Sequence, residues 1–126
     1  MVEVKRIKMD GREFAFICDW HGTRNGFAHD VTMMENWNTV AKARRNYINR
    51  TWECWDYQSA ILEAIQKAMD EEAKWVERKV KRENGWEKLT AKRREAVDAA
   101  LAESEDWAIY KKLYDECNGY YPAWES

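Results

Sequence analysis

The residues best suited to chemistry lie in the first half of the 126-residue chain: Cys18-x-x-His21, then His29 and Asp30, with Cys54 further on. Cys18, His21, His29 and Cys54 would form a Cys2His2 set, which zinc accepts in tetrahedral geometry. A local reading competes with it. Cys18 alternates with Phe14 and Phe16, so it shares their strand face and packs there as a small apolar group. His29 likewise alternates with Phe27, Val31 and Met33, which places it in the core as a hydrogen-bonded histidine. No cofactor is therefore expected, and a zinc-stabilised interaction module stands as an alternative.

Basic residues gather in two places. Lys42, Arg44, Arg45 and Arg50 fall close to Trp52 and Trp55, and Lys79, Lys81 and Arg82 are followed by Lys92, Arg93 and Arg94. Cations interleaved with aromatic rings bind single-stranded nucleic acid by neutralising phosphates and stacking bases. The wider charge pattern argues against a dedicated binder. Lys and Arg total 21 and Asp and Glu 23, for a net charge of −2. Residues 1–55 hold nine basic and seven acidic side chains, and 56–126 hold twelve and sixteen. The field is mixed rather than a basic stripe, and the chain is not acidic enough to mimic DNA. The same patches would meet a protein surface equally well.

Catalysis finds no support. There are two His, no Gly-x-Ser-x-Gly elbow, and five Gly that read as turn residues rather than a phosphate cradle. Asp70, Glu71 and Glu72 are consecutive on a helix and do not face one another. Cys18, Cys54 and Cys117 are odd in number and widely spaced, which favours reduced thiols. No apolar run is long enough to span a membrane, and the basic N-terminus lacks an apolar segment behind it, so a cytoplasmic location is expected. Eight Trp are hard to bury completely because each indole N–H wants a partner, so two or three should be partly exposed as interface anchors.

The elements that would carry these residues divide cleanly. Residues 2–9 and 12–20 flank Asp10-Gly11, a two-residue hairpin signal. A loop over 21–26 ending in Asn25-Gly26, a strand over 27–34, a tight turn through Glu35–Asn38 and a strand over 39–48 complete an antiparallel meander. From Thr51, a plausible N-cap, a stripe of Leu62, Ile65, Met69, Ala73, Val76 and Val80 predicts a long helix to residue 83, stopped by Asn84-Gly85. At about 45 Å it would outrun the sheet, so its second half should pair with the next helix. Thr90 and Ser104 are further caps, and 88–118 reads as a helix pair or one bent helix, followed by an aromatic tail over 119–126. The expectation is one α+β domain over 1–126, with a sheet at 1–49 covered by a helix at 51–83.

The segment from Arg24-Asn25-Gly26-Phe27-Ala28-His29-Asp30, through Ala41-Lys42-Ala43, to Asn49-Arg50-Thr51-Trp52-Glu53-x-Trp55-x-Tyr57-Gln58-Ser59 resembles small phage and prophage accessory proteins. The resemblance covers about residues 24–65 and carries no catalytic residues. It implies a phage-borne protein acting on host machinery, with the anti-CRISPR class of inhibitors foremost. The host partner would be a CRISPR effector nuclease. The basic clusters and the turn tryptophan, read from the residues themselves, are the expected contacts: Trp37, Lys42, Arg44, Arg45, Lys79, Lys81, Arg82, Arg93 and Arg94. A phage nucleic-acid-binding accessory protein is the second reading.

Overall fold

A computed structural model describes residues 2–48, 56–85 and 91–125. The order is β1 (Val2–Met9), β2 (Arg12–Thr23), β3 (Gly26–Glu35), β4 (Asn38–Ile48), α1 (Gln58–Asn84), α2 (Ala91–Glu103) and α3 (Glu105–Cys117). The strands pair antiparallel in sequence order, β1-β2-β3-β4. This is the expected α+β meander followed by three helices, the first of them long and packed on the sheet.

Turn chemistry sets the register. Asp10 and Gly11 take φ of 50° and 80°, the left-handed pair that a two-residue hairpin turn needs to match strand twist. Between β2 and β3 the expected six-residue loop contracts to Arg24-Asn25. His21, Gly22 and Thr23 stay on the ladder, and Gly26 pairs with Thr23. In β4 the register steps between Met33↔Ala41 and Met34↔Thr39, which leaves Val40 as an extra residue turned half into the core.

The inner face of the sheet presents Ile7, Phe14, Phe16, Cys18, Val31, Met33 and Ala43, all buried. Helix α1 lies on β3 and β4, and Ala60, Ala64 and Ala68 recur every fourth residue along its buried side. Small side chains on that row let the helix pack closely on its neighbours, while Ile61 and Ile65 fill the core beside it. Helix α3 adds Ile109, Tyr110, Leu113 and Cys117 to the same core and reaches β1.

Helix α1 starts at Gln58, later than Thr51 would place it. Asp56 bends the chain and its Oδ1 accepts from the Gln58 N–H at 3.3 Å, so the turn is made there. Thr51 itself lies outside the described residues. The far end is as expected: Gly85 closes α1 at φ 67°. Val76 and Val80 are buried in the half of α1 that pairs with α2. Ser104 separates α2 from α3, with extended backbone and its Oγ accepting from the Trp107 N–H at 3.2 Å. The two are distinct helices, not one bent helix. No helix among the described residues is long and apolar enough to cross a membrane.

Candidate functional site

Strand parity decides the fate of the ligand set. Cys18 and His29 point into the core, 0% and 1% exposed, whereas His21 is an odd step from Cys18 and points to the opposite face of the sheet. The three therefore do not converge, and Cys54 lies outside the described residues. Among the described residues no three metal-ligating side chains form a group. Burial pushes the Cys18 thiol up to about 12, so it is held as a neutral thiol. His29 does sit in the core, between Phe27 (5.3 Å), Tyr47 (5.1 Å) and Tyr57 (4.5 Å) by ring centroids. The hydrogen bond expected of it is not found at Nδ1, which is buried with no partner among the described residues. Burial lowers the pKa of the ring against a small opposing effect of Asp56.

The outer face of the sheet uses its charges on itself. Arg44 grips Asp30 with Nε to Oδ1 at 2.6 Å and Nη2 to Oδ2 at 2.9 Å. His21 Nδ1 lies 3.3 Å from the same carboxylate. The Arg44 bonds hold the Asp30 carboxyl below its ordinary range. Lys42 shares this face, is exposed, and is one strand position pair away from Arg44. Arg45 points the other way, opposite His29, and is also exposed. Arg50, Trp52 and Trp55 lie outside the described residues.

The second basic group is spread along the α1–α2 pair. The Lys79 ammonium stands 5.4 Å from the Trp75 ring centre on its own helix. Lys81 and Arg82 occupy the last turn of α1, where cations complement the helix dipole. Arg93 is buried at 5% exposure and donates from Nη2 to Glu77 at 3.0 Å, tying α2 to α1. Arg94 is exposed. Of the predicted cations among the described residues, Arg44 and Arg93 are thus engaged in ion pairs, and the others are exposed on β4, α1 and α2.

Trp37 stands apart. It occupies the second position of the β3–β4 turn, after Asn36, with φ of 64° against 49° for Asn36. The flanking pair Glu35↔Asn38 closes a two-residue turn of the kind that favours Asn-Gly. A tryptophan held in the left-handed region costs about 1 kcal/mol relative to glycine. Its side chain nevertheless gains little from the fold, since it is 62% exposed. The turn itself is rigidly backed. The Asn36 N–H donates to the Glu13 carbonyl at 3.2 Å. Arg12 clamps Glu35 through Nε at 2.7 Å and Nη2 at 2.6 Å, and reaches Asp106 of α3 through Nη1 at 2.8 Å.

Sequence reasoning singled out Trp37 but missed its backbone and two neighbouring features. A shallow groove of about 380 Å³ runs beside Val40 of β4, between α1 and the start of α3, with Trp75, Glu72 and Tyr110 on its walls. Trp75 is 49% exposed and lies at the margin of the packed face of α1, with Ala68, Glu71 and Arg78 beside it on the groove. That indole, off the apolar stripe, was the available signal. At the other end of the molecule a half-open cleft of about 670 Å³ lies between the N-terminus of α1 and the C-terminal tail. Comparison with protein-family models, curated proteins and solved structures finds no match to this chain.

Proposed function

We propose that this protein is a non-catalytic binding module that engages a partner protein through Trp37 at the β3–β4 tip. The observation that carries the reading is a large aromatic side chain placed, at a backbone cost, where it is exposed and where glycine would serve the turn better. Strain of this kind persists where the surroundings over-determine it and a use repays it. Tryptophan is also the side chain that most often anchors a protein interface. The clamp of Arg12 on Glu35 and Asp106 holds the tip ready, so little order is lost on binding. The pairing of Arg44 with Asp30 and of Arg93 with Glu77 weakens the nucleic-acid alternative, because these guanidinium groups already have anions.

The partner that the resemblance over residues 24–65 points to is a bacterial RNA-guided defence nuclease, with this chain as a phage-borne inhibitor of the anti-CRISPR type. The test is an affinity capture of the effector from a bacterial lysate with the tagged protein, half of it nuclease-treated, with Trp37→Gly run alongside. Retention of the effector after nuclease and moderate salt, lost in the variant, is the expected result. Recovery of nucleic acid alone, released by salt as counterion exchange requires, sinks the reading.

A further inference from the structure

The C-terminal tail forms a second surface, independent of Trp37. It is fixed along its length. The Gln58 amide donates to the carbonyls of Cys117 (3.0 Å) and Gly119 (3.3 Å). The Ala123 N–H donates to Glu116 at 2.8 Å and the Glu125 N–H to the Arg6 carbonyl at 2.7 Å. Trp124 meets Phe16 edge-on at 5.8 Å, and the Lys5 ammonium stands 5.5 Å from its ring centre. On this tethered backbone Tyr120 and Tyr121 are 97% and 95% exposed. The tail therefore holds two bare phenols at the mouth of the 670 Å³ cleft rather than leaving them on a loose end.

We propose that this cleft docks a proline-rich segment of a partner protein, flanked by Arg or Lys and extended as a polyproline II helix. The lining favours that occupant. Tyr120, Tyr121, Pro122 and the part-exposed Trp124 supply rings against which proline rings pack, over a floor that includes the buried Tyr57. The phenol O–H and indole N–H of the same residues supply donors, and a polyproline II segment leaves every backbone carbonyl free to accept. Such a segment is already ordered, so an open cleft binds it at small entropic cost. The charge around the cleft chooses the flank. Among the described residues Asp56 lines it and the Glu116 carboxylate stands beside it at Ala123, while the lining cation, Lys5, is engaged with Trp124 and lies 3.6 Å from Glu3. A basic flank complements this rim, and a nucleic-acid strand, which would also stack on the rings, is repelled by it.

The experiment is an NMR titration of the full-length, nitrogen-15-labelled protein with octaproline carrying an N-terminal Arg-Arg. Octaproline with Glu-Glu, a Gly-Ser peptide of equal length and oligo(dT) serve as comparisons. The expected result is movement of the Tyr120, Tyr121 and Trp124 resonances with the Arg-Arg peptide, weaker movement with Glu-Glu, and none with Gly-Ser. Tyr120→Ala with Tyr121→Ala should weaken binding about tenfold. Both side chains are exposed, so the melting temperature should stay unchanged. Asp56→Asn should narrow the gap between the Arg-Arg and Glu-Glu peptides. Absence of movement at millimolar peptide, equal response to Gly-Ser, or tighter binding of oligo(dT) overturns the proposal. None of these outcomes bears on Trp37.

Discussion

Trp37 and His29 show how a single residue can work against the fold that holds it. Replacing Trp37 by Gly recreates the Asn-Gly pair that the turn prefers, so the variant should be more stable by about 1 kcal/mol. The same variant should lose its partner. Denaturant unfolding and the capture assay read the two effects separately, and a destabilised Trp37→Gly protein would show that the indole serves the fold. His29 is buried, its Nδ1 has no partner among the described residues, and burial lowers its pKa from 6.5. The unfolded chain therefore takes up the proton first as pH falls. The stability tied to the neutral ring is complete above pH 6.5 and is lost as pH drops from there towards the depressed folded-state value. Urea unfolding across that window should show the loss, and His29→Phe should flatten that part of the curve while leaving the carboxylate-driven part at lower pH.

Elements in this protein are joined by a few polar ties laid over a continuous apolar core. Ser104 performs two such tasks: its Oγ caps α3 at Trp107 and donates to Glu72 of α1 at 2.9 Å. Ser104→Ala should cost about 1 kcal/mol through the cap, with the released Glu72 free to turn to solvent, and a chemical denaturation curve measures it. The seam of Ala60, Ala64 and Ala68 is less forgiving. Ala64 is fully buried in the core, so Ala64→Leu overpacks it and should cost about 2 kcal/mol. An unchanged stability would mean that the seam has room the packing does not show.

For the molecule as a whole, the two ends are held in different ways. One end carries the strained tip with its clamp onto α3, and the other carries the tail bound to β1 and the entrance of α1. Trp124 links that tail to the central core through Phe16. Trp124→Ala should therefore cost about 2 kcal/mol, below the loss for a fully buried tryptophan, and expose the bonds around Tyr120 to limited proteolysis. Capture of a partner through Trp37 should survive this change, since among the described residues no hydrogen bond or ring contact joins the tip to the tail.

Much of this architecture was legible in the residues themselves. Alternation of Phe14, Phe16 and Cys18 marks a strand with a core face, Asp10-Gly11 marks the first turn, and Gly85 and Ser104 mark helix ends. Each is a local preference acting within a few residues, so the local sequence is enough to state it. The start of α1 was misplaced because Thr51 offers a cap in sequence while the bend at Asp56 decides where the helix begins. The site was less legible still. Whether Cys18, His21 and His29 converge depends on whether β2 runs on through His21, which its pairing with Ala28 on β3 decides. Whether Arg44 is available to a partner depends on Asp30 opposite it on the next strand. That Trp37 sits in a left-handed turn follows from the pairing of Glu35 with Asn38, and the tail cleft exists only because residues 119–125 return to β1. These are relations between residues far apart in the chain, set by register and packing, and only the tertiary structure decides them.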